Sequence, residues 1–235
     1  MRRGALEAVL GARAEKQSVA VVTRLADGAQ ALVRPDRVEG DLTLGAAVLE
    51  EVRRRLASGR TGMLEGEGGE LFVRTYVPPL RLLVVGAVHV TQTLAPMAAL
   101  AGFEVVVIDP RRAFGNEDRF PGVTMTNEWP EDALSRIGID PHTAVVTLTH
   151  DPKIDDPTLI AALRSDAFYV GALGSPRTHA KRVARLTEQG LADAIPRIHA
   201  PIGLDLGGRA PAEIAVSILG QIIQVRHRGA AASTR

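Results

Sequence analysis

The stretch "LRLLVVGAVHVTQTLAPMAALAGFEVVVIDPRR", residues 80–112, runs from an apolar segment through a glycine turn and a helix-forming segment to a second apolar run ending on an aspartate. Strands buried on both faces read as such unbroken apolar runs. A strand–turn–helix–strand unit of this kind opens a dinucleotide-binding fold. The turn departs from the pattern. Gly86-Ala87-Val88-His89-Val90-Thr91 keeps the first glycine of a Gly-x-Gly-x-x-Gly turn and lacks the next two. In such turns the glycines let backbone N–H groups approach a pyrophosphate lying at a helix N-terminus. The branched Cβ of Val88 stands at the point of closest approach and would crowd a diphosphate. Asp109 ends the second strand, about where a carboxylate accepts from a ribose hydroxyl. The alternative is a turn in which Gly86 only permits the bend and no nucleotide binds.

Downstream, apolar runs at 104–108, 144–149 and 167–172 join 81–85 as predicted strands, with helices between them. Asp156-Pro157 predicts a helix start with Pro157 at the first helical position, and Ser175-Pro176 predicts another that Gly190 ends. The last helix is expected over 211–228. Its apolar stripe is Ile214, Ile218, Ile222 and Val225, and its polar face is Ser217, Gln221, Gln224 and Arg228. This alternation specifies the α/β class, a Rossmann-like doubly wound parallel sheet with right-handed crossovers. Pro78-Pro79 can continue neither strand nor helix and marks a boundary. Residues 1–79 then read as a small N-terminal α+β domain: a hairpin of 19–24 and 29–33 around Asp27-Gly28, an amphipathic helix over 44–57, and a strand at 71–77. Residues 80–235 form the Rossmann-like domain.

Composition narrows the function. The chain has 235 residues, 46% of them hydrophobic and 23% charged, as in a globular protein. Aromatics are only 3%, too few for stacking platforms on single-stranded nucleic acid. The net charge is +1 with both signs interspersed, so neither a nucleic-acid nor a membrane surface is expected. Glu7 and Glu15 interrupt the N-terminal apolar run, which argues against a signal peptide. No apolar run approaches the ~20 residues that span a bilayer. A cytoplasmic protein is the expectation. Cysteine is absent, so this chain offers no thiol nucleophile, thiolate metal site or disulfide.

Three further stretches carry polar chemistry. In "VVTLTHDPKIDDP", residues 145–157, His150-Asp151 follows a strand end, where open α/β sheets keep their ligands. A strand-to-helix turn explains the same residues. In "YVGALGSPRTHAKR", residues 169–182, Gly171, Gly174 and a Ser175-Pro176 helix start form a second phosphate-shaped turn. Arg177, His179 and Lys181 add cationic groups that a plain helix cap does not need. In "IHAPIGLDLGGRAPAEIA", residues 198–215, His199, Asp205 and a glycine-rich loop precede the final helix, with Glu213 in its first turn. A long connection without chemistry is the alternative there.

These stretches, in this order, resemble the XdhC/CoxI family of molybdenum-hydroxylase accessory proteins over about residues 71–228, and "VVVIDPRRAFGNEDRFPG" is similar to that family's second-strand segment. The resemblance implies a small N-terminal domain followed by a Rossmann domain. It also implies binding of the molybdenum cofactor, as molybdopterin or its dinucleotide form, and delivery to a molybdenum-hydroxylase large subunit such as that of xanthine dehydrogenase. The cofactor-binding positions it suggests are Gly86, His89, Asp109, His150, Asp151, Gly171, Gly174, Ser175, Arg177, His179 and Asp205. Two departures stand out. Val88 replaces the second glycine of the family's Gly-Ala-Gly-His turn, and Glu67 of "EGGELFV" stands where longer members carry a cysteine. Thiol-dependent handling is therefore lost, and a sulfur-donor protein would have to supply sulfur. The role expected is a non-catalytic cofactor-insertion chaperone. The rivals are an NAD(P)-dependent oxidoreductase using Asp109 on the adenosine ribose, and an interaction subunit that forms a homodimer through its last helix.

Overall fold

The computed structural model describes residues 3–66, 68–115 and 119–228, so Glu67 lies outside the described residues. The chain divides into two units, Met1–Pro78 and Pro79–Arg235. The first contains α1 (Arg3–Ala14), β1 (Val19–Arg24), β2 (Gln30–Val33), β3 (Val38–Gly40), α2 (Ala46–Ser58), β4 (Gly62–Gly66) and β5 (Gly69–Tyr76). The strands form an antiparallel sheet in the order β3-β2-β1-β5-β4. Successive side chains of a strand point to opposite faces. Ala20 and Val22 of β1 accordingly pack with Val52 and Leu56 of α2, and Val19 and Val21 pack with Val9 and Ala12 of α1. The expected hairpin is present, with Asp27 accepting from the Ala29 N–H at 3.1 Å inside its turn.

The second unit contains β6 (Leu80–Val85), α3 (His89–Leu100), β7 (Phe103–Ile108), β8 (Thr124–Thr126), α4 (Pro130–Ile137), β9 (Thr143–Thr147), α5 (Pro152–Leu163), β10 (Tyr169–Ala172), α6 (Pro176–Glu188), β11 (Ile198–His199) and α7 (Pro211–Arg228). Its six strands are all parallel, in the order β8-β7-β6-β9-β10-β11. Chain order thus reverses between β6 and β9, and the crevice at such a switch point is where doubly wound sheets bind ligands. Leu82, Val84 and Val146 face α3 and α7 on one side. Leu83, Val85, Val145 and Val170 face α4, α5 and α6 on the other.

Two expectations require correction. Helix α5 starts at Pro152, not Pro157, because Asp151 is its N-cap and accepts from the Lys153 N–H at 2.9 Å. Of two Asp-Pro pairs, the one nearer the strand end is used, and Pro157 lies inside the helix. Part of the polar face predicted for the last helix is also turned inward. Ser217 and Gln221 of α7 are buried. Gln221 Oε1 accepts from the Tyr169 hydroxyl at 2.6 Å and from the Gly203 N–H at 2.9 Å, while its Nε2 donates to the Gly203 carbonyl at 3.1 Å. The apolar stripe belongs to the same core cluster as Leu94 and Ala98 of α3. Gln221→Leu would strand the Tyr169 hydroxyl and both Gly203 groups. It should cost about 2–3 kcal/mol of unfolding free energy, readable as a lower midpoint in urea with an unchanged slope.

Candidate functional site

Because the six strands run the same way, the connections after β6, β7, β9, β10 and β11 all emerge at one edge of the sheet. Gly86 opens the first of them at φ +117. A Cβ there would lie 2.8 Å from Thr149 Cγ2 and 3.2 Å from the Thr149 nitrogen, so only glycine lets the β6–α3 turn pass this close to the β9–α5 turn. Val88 is the N-cap of α3 in an extended conformation, φ −92 and ψ 176, and makes no side-chain cap. It packs half-buried against the apolar core. The missing glycine therefore imposes no backbone strain, but a branched side chain stands beside the open helix start. His89 follows as the exposed first residue of α3.

Asp109 does not do what its position suggested. Its side chain is 0% exposed. Oδ2 accepts from the Ala87 N–H at 2.8 Å and from Arg111 Nη2 at 2.8 Å. Oδ1 accepts from the Arg111 N–H and from Arg111 Nε, both at 2.9 Å. Burial pushes this carboxyl upward, but Arg111 and the two backbone N–H groups outweigh it and hold it below the usual carboxylate range. Four donors leave nothing to offer a ribose hydroxyl. Asp109 instead ties the β6–α3 turn to the end of β7. Asp109→Asn should cost roughly 2–3 kcal/mol, since one charged partner is left with the wrong complement. Urea unfolding of the variant measures this directly.

His150 is exposed and adopts φ +64, in the left-handed region. Its N–H donates to Asp155 Oδ2 at 3.0 Å, and the Thr149 hydroxyl donates to Asp155 Oδ1 at 2.7 Å. Asp155 is buried, as is Arg182 of α6, whose Nη2 comes within 3.7 Å of it. Burial pushes the Asp155 carboxyl up, against the pull of the Thr149 bond and of Arg182. Asp151 serves as the α5 cap, which is the structural alternative raised for this turn.

The third stretch separates into packing and charge. Gly171 is a packing position: a Cβ there would meet Ile202 Cδ1 at 2.5 Å and Tyr169 Cε1 at 2.7 Å. Gly174, at φ +147, leads into Ser175, which caps α6 by accepting from the Thr178 N–H at 3.2 Å. Arg177 and Lys181 line a pocket of about 250 Å³ together with His150, Asp155, Asp156, Arg182 and Arg185. His179 does not line it. Burial first, and Arg182 second, hold the His179 imidazole below its ordinary value. Sequence reading missed Asp155, Asp156, Arg182 and Arg185. The available signal was cations four apart at Arg177, Lys181 and Arg185, which share one face of a helix.

The fourth stretch holds no cluster. Asp205 is exposed. Glu213 caps its own helix, accepting from the Arg209 and Ala210 N–H groups at 2.9 and 3.0 Å. Among the described residues no group of three or more His, Cys, Asp or Glu could hold a metal ion, and none of the helices is long and apolar enough to cross a membrane. His199 stacks on Tyr169, with ring centroids 4.7 Å apart and planes at 6°. Burial holds this imidazole below its usual value, so the unfolded chain takes up a proton more readily. That contribution to stability is present above the unfolded value of about 6.5 and is lost as pH falls below it. His199→Phe keeps the stack without the titration. Its melting midpoint should fall less than that of the unaltered protein between neutral and mildly acidic pH.

Comparison with known proteins places this arrangement. Residues 82–222 match the family described as the XdhC Rossmann domain. The chain is 36% identical over 161 residues to a Bacillus subtilis protein named as a probable xanthine dehydrogenase subunit, covering 67% of this chain and 46% of that one. It is 33% identical over 150 residues to the Escherichia coli "Molybdenum cofactor insertion chaperone PaoD", covering 63% of this chain and 41% of that one. The chain thus spans less than half the length of these curated relatives. A crystal structure described as a xanthine dehydrogenase from Bacillus halodurans superposes with a TM-score of 0.70 at 25% identity, covering 98% of this chain and 69% of that one.

Proposed function

This chain belongs to the XdhC family, and from that premise we propose that it is an accessory protein that holds the molybdenum cofactor at the C-terminal edge of its parallel sheet and delivers it to a xanthine dehydrogenase-type molybdoenzyme. The observation that carries this reading is the convergence of the motif stretches. The Gly86 turn, the His150 turn and the Ser175 helix start all follow parallel strands and open on the same edge. Helix N-termini and cations suit an anionic cargo. The chaperone name of the E. coli relative points the same way.

The oxidoreductase alternative is weakened by two features. Asp109 has its oxygens occupied by Arg111 and Ala87, and Val88 replaces the glycine at the point where a diphosphate would approach most closely. The cargo would be held through its phosphate and polar edges, since this chain has no cysteine to meet the metal or pass sulfur. A separate sulfur-donor protein would supply the terminal sulfur ligand.

A carrier acts upstream of its client. Deleting the protein should leave the client's large subunit folded and expressed but depleted of molybdenum, measured by metal analysis of the purified client. Native mass spectrometry of this protein, purified from cells that make the cofactor, should retain a pterin species. A client with normal molybdenum content after deletion would reject delivery. A retained nicotinamide dinucleotide would move the assignment to the oxidoreductases.

A further inference from the structure

The pocket of about 250 Å³ lies between α5 and α6. Helix α6 contributes Arg177, Lys181, Arg182 and Arg185, and α5 contributes Asp155 and Asp156. Four cations against two carboxylates leave an excess of two positive charges. Both carboxylates already have donors. Asp156 accepts from Nε and Nη2 of Arg185 at 2.5 and 2.9 Å, and Asp155 accepts from the Thr149 hydroxyl and the His150 N–H. The deciding group is Arg182. Its side chain is 2% exposed, and Asp155 stands 3.7 Å from its Nη2, beyond hydrogen-bond reach. Nη2 donates to the Leu173 carbonyl at 3.0 Å, but Nε and Nη1 are buried with no partner. Native proteins rarely leave buried donors idle, and a guanidinium has only donors to offer. These nitrogens need an acceptor, and the excess of positive charge around the pocket favours an anionic one.

We propose that the α5–α6 pocket is a phosphate-monoester site, in which a terminal dianionic phosphate lies against the guanidinium of Arg182 while Arg177 and Lys181 supply the outer charge. A guanidinium is a strong, always-charged donor to phosphate oxygens. A phosphate monoester carries about −1.5 to −2 charges at neutral pH, which meets the excess of two. Pockets for whole small ligands run from about 300 Å³ upward, so this one suits the end of a ligand and not a dinucleotide. None of Gly86, Ala87 or Val88 lines it, so it is distinct from the defective glycine turn. The phosphate chemistry stands without the accessory reading. Only the identity of the molecule bearing the phosphate rests on that reading: the molybdopterin form ends in a monoester, whereas the dinucleotide form has that phosphate inside a diphosphate.

The test is calorimetric titration of the full chain with inorganic phosphate, cytidine 5′-monophosphate and NAD+, with ionic strength held constant by potassium chloride. Inorganic phosphate and the monoester should each bind at one site per chain, and NAD+, with only an internal diphosphate, should bind about tenfold more weakly or not at all. Arg177→Ala and Lys181→Ala change exposed side chains, so folding is retained. Each should weaken phosphate about tenfold. Arg182→Lys keeps the charge without the planar set of donors and should weaken it at least as much; if that variant does not fold, the two exposed positions decide. Absence of saturable phosphate binding, or binding unaffected in the Arg177→Ala/Lys181→Ala double variant, would overturn the site. Equal affinity for the monoester and NAD+ would overturn the monoester assignment. Displacement of a retained pterin species by inorganic phosphate, followed by native mass spectrometry, would assign the phosphate to the cargo. Retention of the pterin while phosphate binds would assign it to a separate small metabolite and overturn the cargo's claim on the pocket. The titration uses no molybdenum compound, so its failure leaves the delivery test intact, and the reverse holds.

Discussion

The carboxylate of Asp109 organises the C-terminal edge of the parallel sheet. A fully buried charge persists only when its lone pairs are matched, and here four N–H groups from Ala87 and Arg111 match them. The consequence is mechanical before it is chemical. The β6–α3 turn is fixed to the end of β7 by the protein itself. In a dinucleotide enzyme the ligand bridges those two elements, with a ribose donating to the carboxylate and a pyrophosphate lying on the turn. Arg111 supplies the donors that a ribose would have supplied, and it lies over the Phe114 ring with its guanidinium carbon 4.5 Å from the centroid. With the bridge internal, the turn no longer needs a phosphate to hold it. Val88 can then pack toward the core without disturbing the fold.

The other side of the switch point shows the opposite balance. Asp109 has a donor for each of its lone pairs, whereas Arg182 has two buried nitrogens with no acceptor within the protein. The same fold thus ties its first turn internally through Asp109 and leaves an excess of positive charge in the α5–α6 region. His150 links the two: its left-handed backbone lets its N–H reach Asp155, next to the turn that Gly86 passes. Left-handed φ in a non-glycine residue tends to persist where surrounding contacts fix it, and it concentrates at functional sites.

What the sequence made legible follows from burial. The strands at 80–85, 103–108, 143–147 and 169–172 stood out because parallel strands covered on both faces are apolar throughout. The short strands Val38–Gly40, Thr124–Thr126 and Ile198–His199 carry two or three residues each and left no such run. The α5 start was misread because two Asp-Pro pairs compete and local chemistry alone does not rank them. The Ser175 cap was legible because capping is local. Its neighbour Arg182 was not, because nothing along "RTHAKRVAR" says which cation turns inward. The polar residues of α7 misled for a related reason. Gln221 bonds to Tyr169, 52 positions away, and a helical wheel cannot distinguish a buried polar clamp from a solvated face.

In the carrier role proposed above, this division of charge between buried and exposed groups would have a kinetic meaning. Exposed cations such as Arg177 and Lys181 act at a distance in water and lose their pull with salt, so they contribute mainly to capture. A buried, planar donor such as Arg182 acts only at contact, in a low dielectric, and mainly governs the rate of release. The net charge of the chain is only +1, so attraction of an anion has to come from the local cluster and not from the molecule as a whole. Asp155 tempers that cluster. Its carboxyl is pushed up by burial and faces the same guanidinium that a bound phosphate would occupy. When the anion leaves, Asp155 remains to share the charge of Arg182, which lowers the cost of the empty state. A site built in this way would hold an anionic group and still return to a stable unloaded form, as the proposed delivery requires.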